Sequence, residues 1–133
     1  MAVLLGLKAR AILHPDRPGC GATDIDVPEG ADGDERLLVA LVAGSEGEGR
    51  LLHQARQWHV SKEDARAIVR LIGGISDRSA RRLSRAKASA AKLVRDKRVW
   101  KAIEGVAWLL EERGAVEDAA IREVVVAAGL TPP

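Results

Sequence analysis

A chain of 133 residues with a formal net charge of +2 is long enough for one domain with a buried core, and an apolar share of 47% excludes a disordered chain. It contains neither Phe nor Tyr, so Leu, Val, Ile, Ala and three tryptophans must fill that core, a composition suited to closely packed helices. The single cysteine, Cys20, excludes an internal disulfide and fits a reducing cytoplasm, and no apolar run approaches the roughly 20 residues that cross a bilayer.

Met1 to Leu7 is apolar and reads as the last turns of a helix, ended by Gly6, or as the start of a strand. Leu7 to Leu13 then alternates apolar and basic residues, the pattern of a half-buried strand. His14 to Gly21 holds two prolines and two glycines and reads as a loop. Thr23 to Val27 alternates again and is predicted to pair back on the first strand. Beyond the loop Pro28–Gly33 the period changes to that of a helix. Helices are predicted over Asp34–Ala43, Leu51–Trp58, Ser61–Leu71, Asp77–Arg95, Lys97–Glu112 and Glu117–Ala128, with Gly44, Gly47 and Gly49 loosening the stretch after the first. The expected fold is therefore α+β and predominantly helical: a two-stranded element followed by about five or six helices, forming one domain over residues 1–130 with Thr131–Pro133 as a frayed tail. Leu41, Ile68, Leu83, Ile103, Val106, Leu110 and Val125 fall on the apolar sides of their helices and are the predicted core.

Four constellations carry chemistry on paper. Gly44-Ser45-Glu46-Gly47-Glu48-Gly49-Arg50-Leu51 has the glycine spacing of a phosphate-binding loop. Arg50 stands where a Lys should reach phosphate, Leu51 where a hydroxyl should hold magnesium, and two glutamates would repel the ligand. The histidines are His14, His53 and His59. His53 and His59 stand six apart, so a helix cannot present both to one metal ion, and no peptidase-type Glu follows either. Arg78, Arg81, Arg82 and Arg85 recur at i, i+3, i+4 and i+7 and form a basic stripe opposite Leu83, Ala86 and Ala90. Such a stripe can meet nucleic-acid phosphates, but no aromatic residue interleaves it for base stacking, and the near-neutral net charge argues against a nucleic-acid partner. Ser61-Lys62-Glu63-Asp64 reads as a helix-capping box, with Ser61 as N-cap and Asp64 three residues on.

Four segments, in order, resemble the proteolytic domain of FtsH-type zinc peptidases. Met1-Ala2-Val3-Leu4-Leu5-Gly6-Leu7 followed by Lys8–Ile12 is similar to the exit of that family's zinc helix into a strand. Val39-Ala40-Leu41-Val42-Ala43-Gly44-Ser45-Glu46 resembles its apolar helix ending in Ala-Gly with an acidic residue after it. Val60-Ser61-Lys62-Glu63-Asp64-Ala65 is similar to the segment where an Asp, the family's third zinc ligand, opens a helix; Asp64 matches that place. Trp100, Ile103, Val106 and Leu110, with Gly114 after them, resemble the C-terminal helices.

The resemblance spans nearly the whole chain but omits the His-Glu-x-x-His motif, which supplies two ligands and the general base. It implies a zinc-peptidase-like domain that is truncated or degenerate and inactive as this chain stands. Asp64 would be the metal ligand it contributes, and zinc would be a cofactor only where an upstream His-Glu-x-x-His segment exists. Met1 falls at an internal position of the family pattern, so the expectation is a reading frame that continues upstream, with the motif within about ten residues. The alternatives are a non-catalytic helical module that takes a protein or peptide partner or self-associates through its apolar helix faces, and a nucleic-acid-binding domain using Arg78, Arg81, Arg82 and Arg85.

Overall fold

Six residues from Lys8 to Leu13 form the first strand, β1, because their alternation gives one apolar and one basic face. The computed structural model describes residues 1–17, 21–51 and 61–133. Before β1, Ala2–Leu5 is a short 3-10 turn stopped by Gly6 in the left-handed conformation (φ 74°), which drops Val3 and Leu7 into the interior. Strand β2 (Gly21–Asp26) runs antiparallel to β1, in the register Lys8↔Asp26, Ala9↔Ile25, Arg10↔Asp24 and Ala11↔Thr23. The predicted two-stranded element is thus present. A third strand, β3 (Ala115–Val116), joins β1 on its other side, giving the order β2-β1-β3. Two residues are too few to show alternation, so β3 is not readable from the sequence.

Five α-helices are present among the described residues: α1 (Ala31–Leu51), α2 (Lys62–Ile72), α3 (Asp77–Arg95), α4 (Lys97–Arg113) and α5 (Asp118–Ala127). The chain divides into two compact units. One joins Met1–Pro28 to Asp96–Pro133; the other is the continuous stretch Glu29–Arg95.

In the continuous unit, α1, α2 and α3 pack together. Asp32 and Asp34 occupy the first turn of α1, where they complement the helix dipole, and Asp32 pairs with Arg36 one turn on. The helix does not loosen at Ala43, as its glycines suggest, but runs through Gly44, Gly47 and Gly49. Leu38 and Val42 are fully buried, with Ala43 and Ser45 beside them. Burial of that face against α3 outweighs a glycine cost of roughly 1 kcal/mol per position. The predicted helix Leu51–Trp58 lies, after its first residue, outside the described residues. Two ties fix how α1 and α3 run. Glu35 meets Arg82 near their starts, and the Arg50 guanidinium donates to the Val94 carbonyl near their ends, so the two helices are parallel. Ser76 Oγ accepts the Ser79 N–H at 3.1 Å to start α3, and the buried Ser79 hydroxyl donates to the Ile72 carbonyl at 2.8 Å.

In the discontinuous unit, α4 and α5 pack on each other and on β1. Asp96 caps α4 by accepting the Arg98 N–H at 2.8 Å, and Gly114 ends it in the left-handed conformation. The Gly114 carbonyl then accepts the Leu13 N–H at 2.8 Å, so the helix end feeds directly into β3. Gly105 lets α4 and α5 approach closely: a Cβ there would stand 2.7 Å from Val124 Cγ1. Of the predicted core, Ile68 and Val125 are buried, while Leu41, Leu83, Ile103, Val106 and Leu110 are half-buried. On α4 the enclosed positions are Val99 and Ala102. The apolar stripe of that helix is wider than the surface its neighbours cover.

Candidate functional site

The half-buried residues of α4 line an open groove of about 320 Å³ in the discontinuous unit. Ile103, Val106 and Leu110 form one wall, and Val3 with Leu4 of the 3-10 turn another. Ala9 and Ala11 of β1 and Thr23 of β2 contribute to its lining from the sheet. The small side chains on the strands keep it open, since a pleated face carrying alanines leaves the space that larger residues would occupy. Apart from Thr23 and Met1 its lining is apolar, which suits an aliphatic side chain or an amphipathic segment.

The other face of the strands is polar. Lys8, Arg10, Asp24, Asp26, Glu117 and Asp118 surround a shallow cleft of about 360 Å³. Arg10 bonds Glu117 at 2.7 Å. Asp118, at the first position of α5, accepts the Ala9 N–H on Oδ1 at 3.0 Å and the Arg122 Nε–H on Oδ2 at 2.7 Å. Burial works to raise the Asp118 carboxyl, yet the Arg122 side chain and the Ala9 amide, with Lys8 nearby, hold it below the ordinary Asp range. This carboxylate bolts the start of α5 to β1. The sequence offered a signal for this cleft, the matched alternation of Lys8 and Arg10 with Asp24 and Asp26, but gave no sign that Asp118 would join them.

In the continuous unit, Ser61 caps α2: its Oγ accepts the Asp64 N–H at 3.0 Å. The capping role expected of Ser61 is present, and it puts Asp64 in the first turn of α2, half-exposed. Among the described residues no three His, Cys, Asp or Glu side chains stand close enough together to hold a metal ion. His53, His59 and Cys20 lie outside the described residues, and His14 is exposed in the turn after β1. A single carboxylate does not make a zinc site, so no hydrolytic step can be routed through Asp64 from the residues described.

The basic stripe divides. Arg78, Arg81 and Arg85 are exposed on α3 and form no ion pair among the described residues. Arg82 lies at the edge of the packed face. Its Nε bonds Glu35 at 2.7 Å and its Nη1 donates to the Leu71 carbonyl at 2.9 Å, so it ties α1, α2 and α3 together. The stripe is therefore three arginines with Lys92 exposed further along the same face, and Arg82 is a fastener. The segment Gly44–Leu51 is helical and spends its backbone N–H groups inside α1, so it forms no phosphate cradle. No helix among the described residues is long and apolar enough to cross a membrane.

Neither a protein-family model, nor a curated protein, nor a solved structure matches this chain.

Proposed function

We propose that this chain is a relative of the FtsH-type peptidase domain that keeps the scaffold and lacks the histidine pair, and that it hydrolyses no peptide bond as it stands. The observation that carries this reading is the placement of Asp64. It occupies the first turn of a Ser61-capped helix that comes after a strand pair and a long apolar helix, the order in which the resemblance needs its third zinc ligand. Zinc held by two histidines and this carboxylate would polarise a peptide carbonyl and acidify water. The three histidines of this sequence do not supply the pair at the required spacing.

The test has two arms. The purified chain should show no chelator-sensitive cleavage of casein with added zinc. A protein that includes any His-Glu-x-x-His segment encoded upstream should bind one zinc ion and lose it on Asp64→Ala. A stop codon upstream with no histidine pair before it, or zinc binding indifferent to Asp64→Ala, would overturn the reading.

The second reading is a non-catalytic interaction module. The open apolar groove favours it: Ile103, Val106 and Leu110 are aliphatic, only half-covered, and adjacent to one another on α4. A partner that covers them would gain roughly 25 cal/mol for each Å² of apolar surface removed from water. Pull-down with α4 carrying Ile103→Ser and Leu110→Ser separates it from the first reading, since neither change touches Asp64.

A further inference from the structure

We infer that the outer edge of β2 binds an extended peptide whose residues alternate between basic and small apolar side chains. The inference deepens the interaction-module reading by naming the partner's chemistry, and it needs no metal.

The first observation is topological. In the order β2-β1-β3, β2 is an end strand, so among the described residues only one of its edges is paired. Successive residues of a strand turn their N–H and C=O to opposite sides, so about half of those over Gly21–Asp26 face outward. Among the described residues none of these six joins a backbone hydrogen bond outside its ladder with β1. A row of open donors and acceptors is a template for one more strand.

The second observation is electrostatic. Asp24 and Asp26 lie on the polar face of the sheet, directly across from Arg10 and Lys8. Arg10 nevertheless bonds Glu117, at 2.7 Å. No ion pair or side-chain hydrogen bond among the described residues engages Asp24 or Asp26, and both residues are exposed. The cleft they border is lined by two basic and four acidic side chains, and one of the acids, Asp118, is taken by Arg122. With Arg122 counted, three cations stand against four acids, and the two carboxylates left without an ion pair, Asp24 and Asp26, are the ones on β2. A strand added outside β2 would place alternate residues directly opposite Asp24 and Asp26, within about 4.5–5.5 Å between Cβ atoms, where Lys or Arg is favoured and Asp or Glu is repelled. The intervening residues would point to the other face, where Thr23 leads into the apolar groove.

The rule for the occupant is already written once in the chain. β1 satisfies β2 from its inner side with Lys8 and Arg10 across from Asp26 and Asp24, and with Ala9 and Ala11 between them on the groove side. The same charges disfavour a second copy. Two β2 edges paired antiparallel about a two-fold axis would set Asp24 and Asp26 against their own counterparts, and β1 is closed in on both sides by β2 and β3.

The experiment is fluorescence anisotropy of the full chain with labelled synthetic peptides. One repeats Lys-Ala-Arg-Ala-Ile-Leu, the sequence of β1. The other replaces its basic residues with Glu. The basic peptide should bind tighter by on the order of tenfold at low salt, from two charge pairs. That preference should shrink towards unity near 1 M salt, where the screening length is about 3 Å. The Asp24→Asn/Asp26→Asn variant, with its fold checked by circular dichroism, should bind both peptides alike. N-methylation of the basic peptide at every second residue should abolish binding in one phase, where it removes the donors facing β2, and spare it in the other. Equal affinity of both peptides for the unaltered chain would overturn the charge assignment while leaving the groove as an interaction site. Loss of binding in neither N-methyl phase would overturn strand addition. Failure of the basic peptide to bind would overturn the inference, while the module reading is judged separately by the Ile103→Ser and Leu110→Ser pull-down.

Discussion

Replacing Gly44 and Gly47 of α1 with alanine should stabilise the protein. Both sit inside a 21-residue helix, and a Cβ built at either meets nothing within 4 Å. The gain is then conformational: alanine restricts the unfolded chain and lifts helix propensity by roughly 0.5–1 kcal/mol per position. The two together should contribute about 1–2 kcal/mol. In a domain of roughly 60–100 residues, 1 kcal/mol moves the midpoint of thermal unfolding by about 4–8 °C. Urea titration followed by circular dichroism, with a thermal scan beside it, measures both quantities. Two control substitutions should carry the opposite sign. Gly73→Ala forces a left-handed φ of 78° on a residue with a Cβ, and Gly105→Ala drives a methyl to 2.7 Å from Val124; each should destabilise by roughly 1–3 kcal/mol. A double variant at 44 and 47 that melts at or below the parent would refute the reasoning, because α1 would then not be continuous through its glycines.

Ile121→Ala, at a residue 7% exposed, should cost roughly 2–4 kcal/mol, whereas Ile103→Ala in the open groove should cost about 1–2 kcal/mol by the same denaturant titration. Arg82→Ala should destabilise by roughly 1–2 kcal/mol because it removes the bonds to Glu35 and the Leu71 carbonyl, while Arg81→Ala should stay within about 0.5 kcal/mol; equal effects would mean that Arg82 is no fastener. Asp118 is held below its ordinary pKa in the folded state, so its contribution is present above the unfolded Asp value near 3.9 and disappears as pH falls through the folded value. Asp118→Asn should therefore lower stability at neutral pH and flatten its decline in acid, read from urea midpoints between roughly pH 2 and 7. Asp96, held to about 2 by the Arg98 side chain and backbone N–H, acts in the same direction at the start of α4.

The strand pair and most of the helices were legible because each obeys a period: two for Lys8–Leu13, and three to four for α2 through α5. Ser61 announced the start of α2, and Gly73 and Gly114 announced the ends of α2 and α4. Where the reading failed, tertiary packing had overruled a local preference. Glycines at 44, 47 and 49 suggest a loosened stretch, but Leu38 and Val42 are fully enclosed on the same helix and α3 holds it. The core was misplaced by about an eighth of a turn on α4, where Val99 and Ala102 are the enclosed positions, because periodicity marks the centre of an apolar stripe without saying which part of it is covered. Arg82 looked like its neighbours in the stripe, yet its angular position brings it to Glu35, a residue 47 positions away. For the groove and the free edge of β2 no sequence signal exists, since both depend on what the rest of the chain leaves uncovered.

The third strand gives the molecule a clock. Ile12 pairs with Ala115 and Ala11 with Val116, so β1 must wait for a partner that follows it by about a hundred residues, and at a synthesis rate of about 5–20 residues per second that wait is on the order of 5–20 s. Glu29–Arg95 is continuous and has all its helices in hand before Ala115 is made. During the interval β1 lacks its β3 partner, and Val3 and Ala9 are deprived of the cover that α4 and α5 later give. By the pairing rule argued for the edge of β2, the exposed β1 of one nascent chain matches the exposed β2 of its neighbour on the same messenger, so this interval is where pairing between chains would occur.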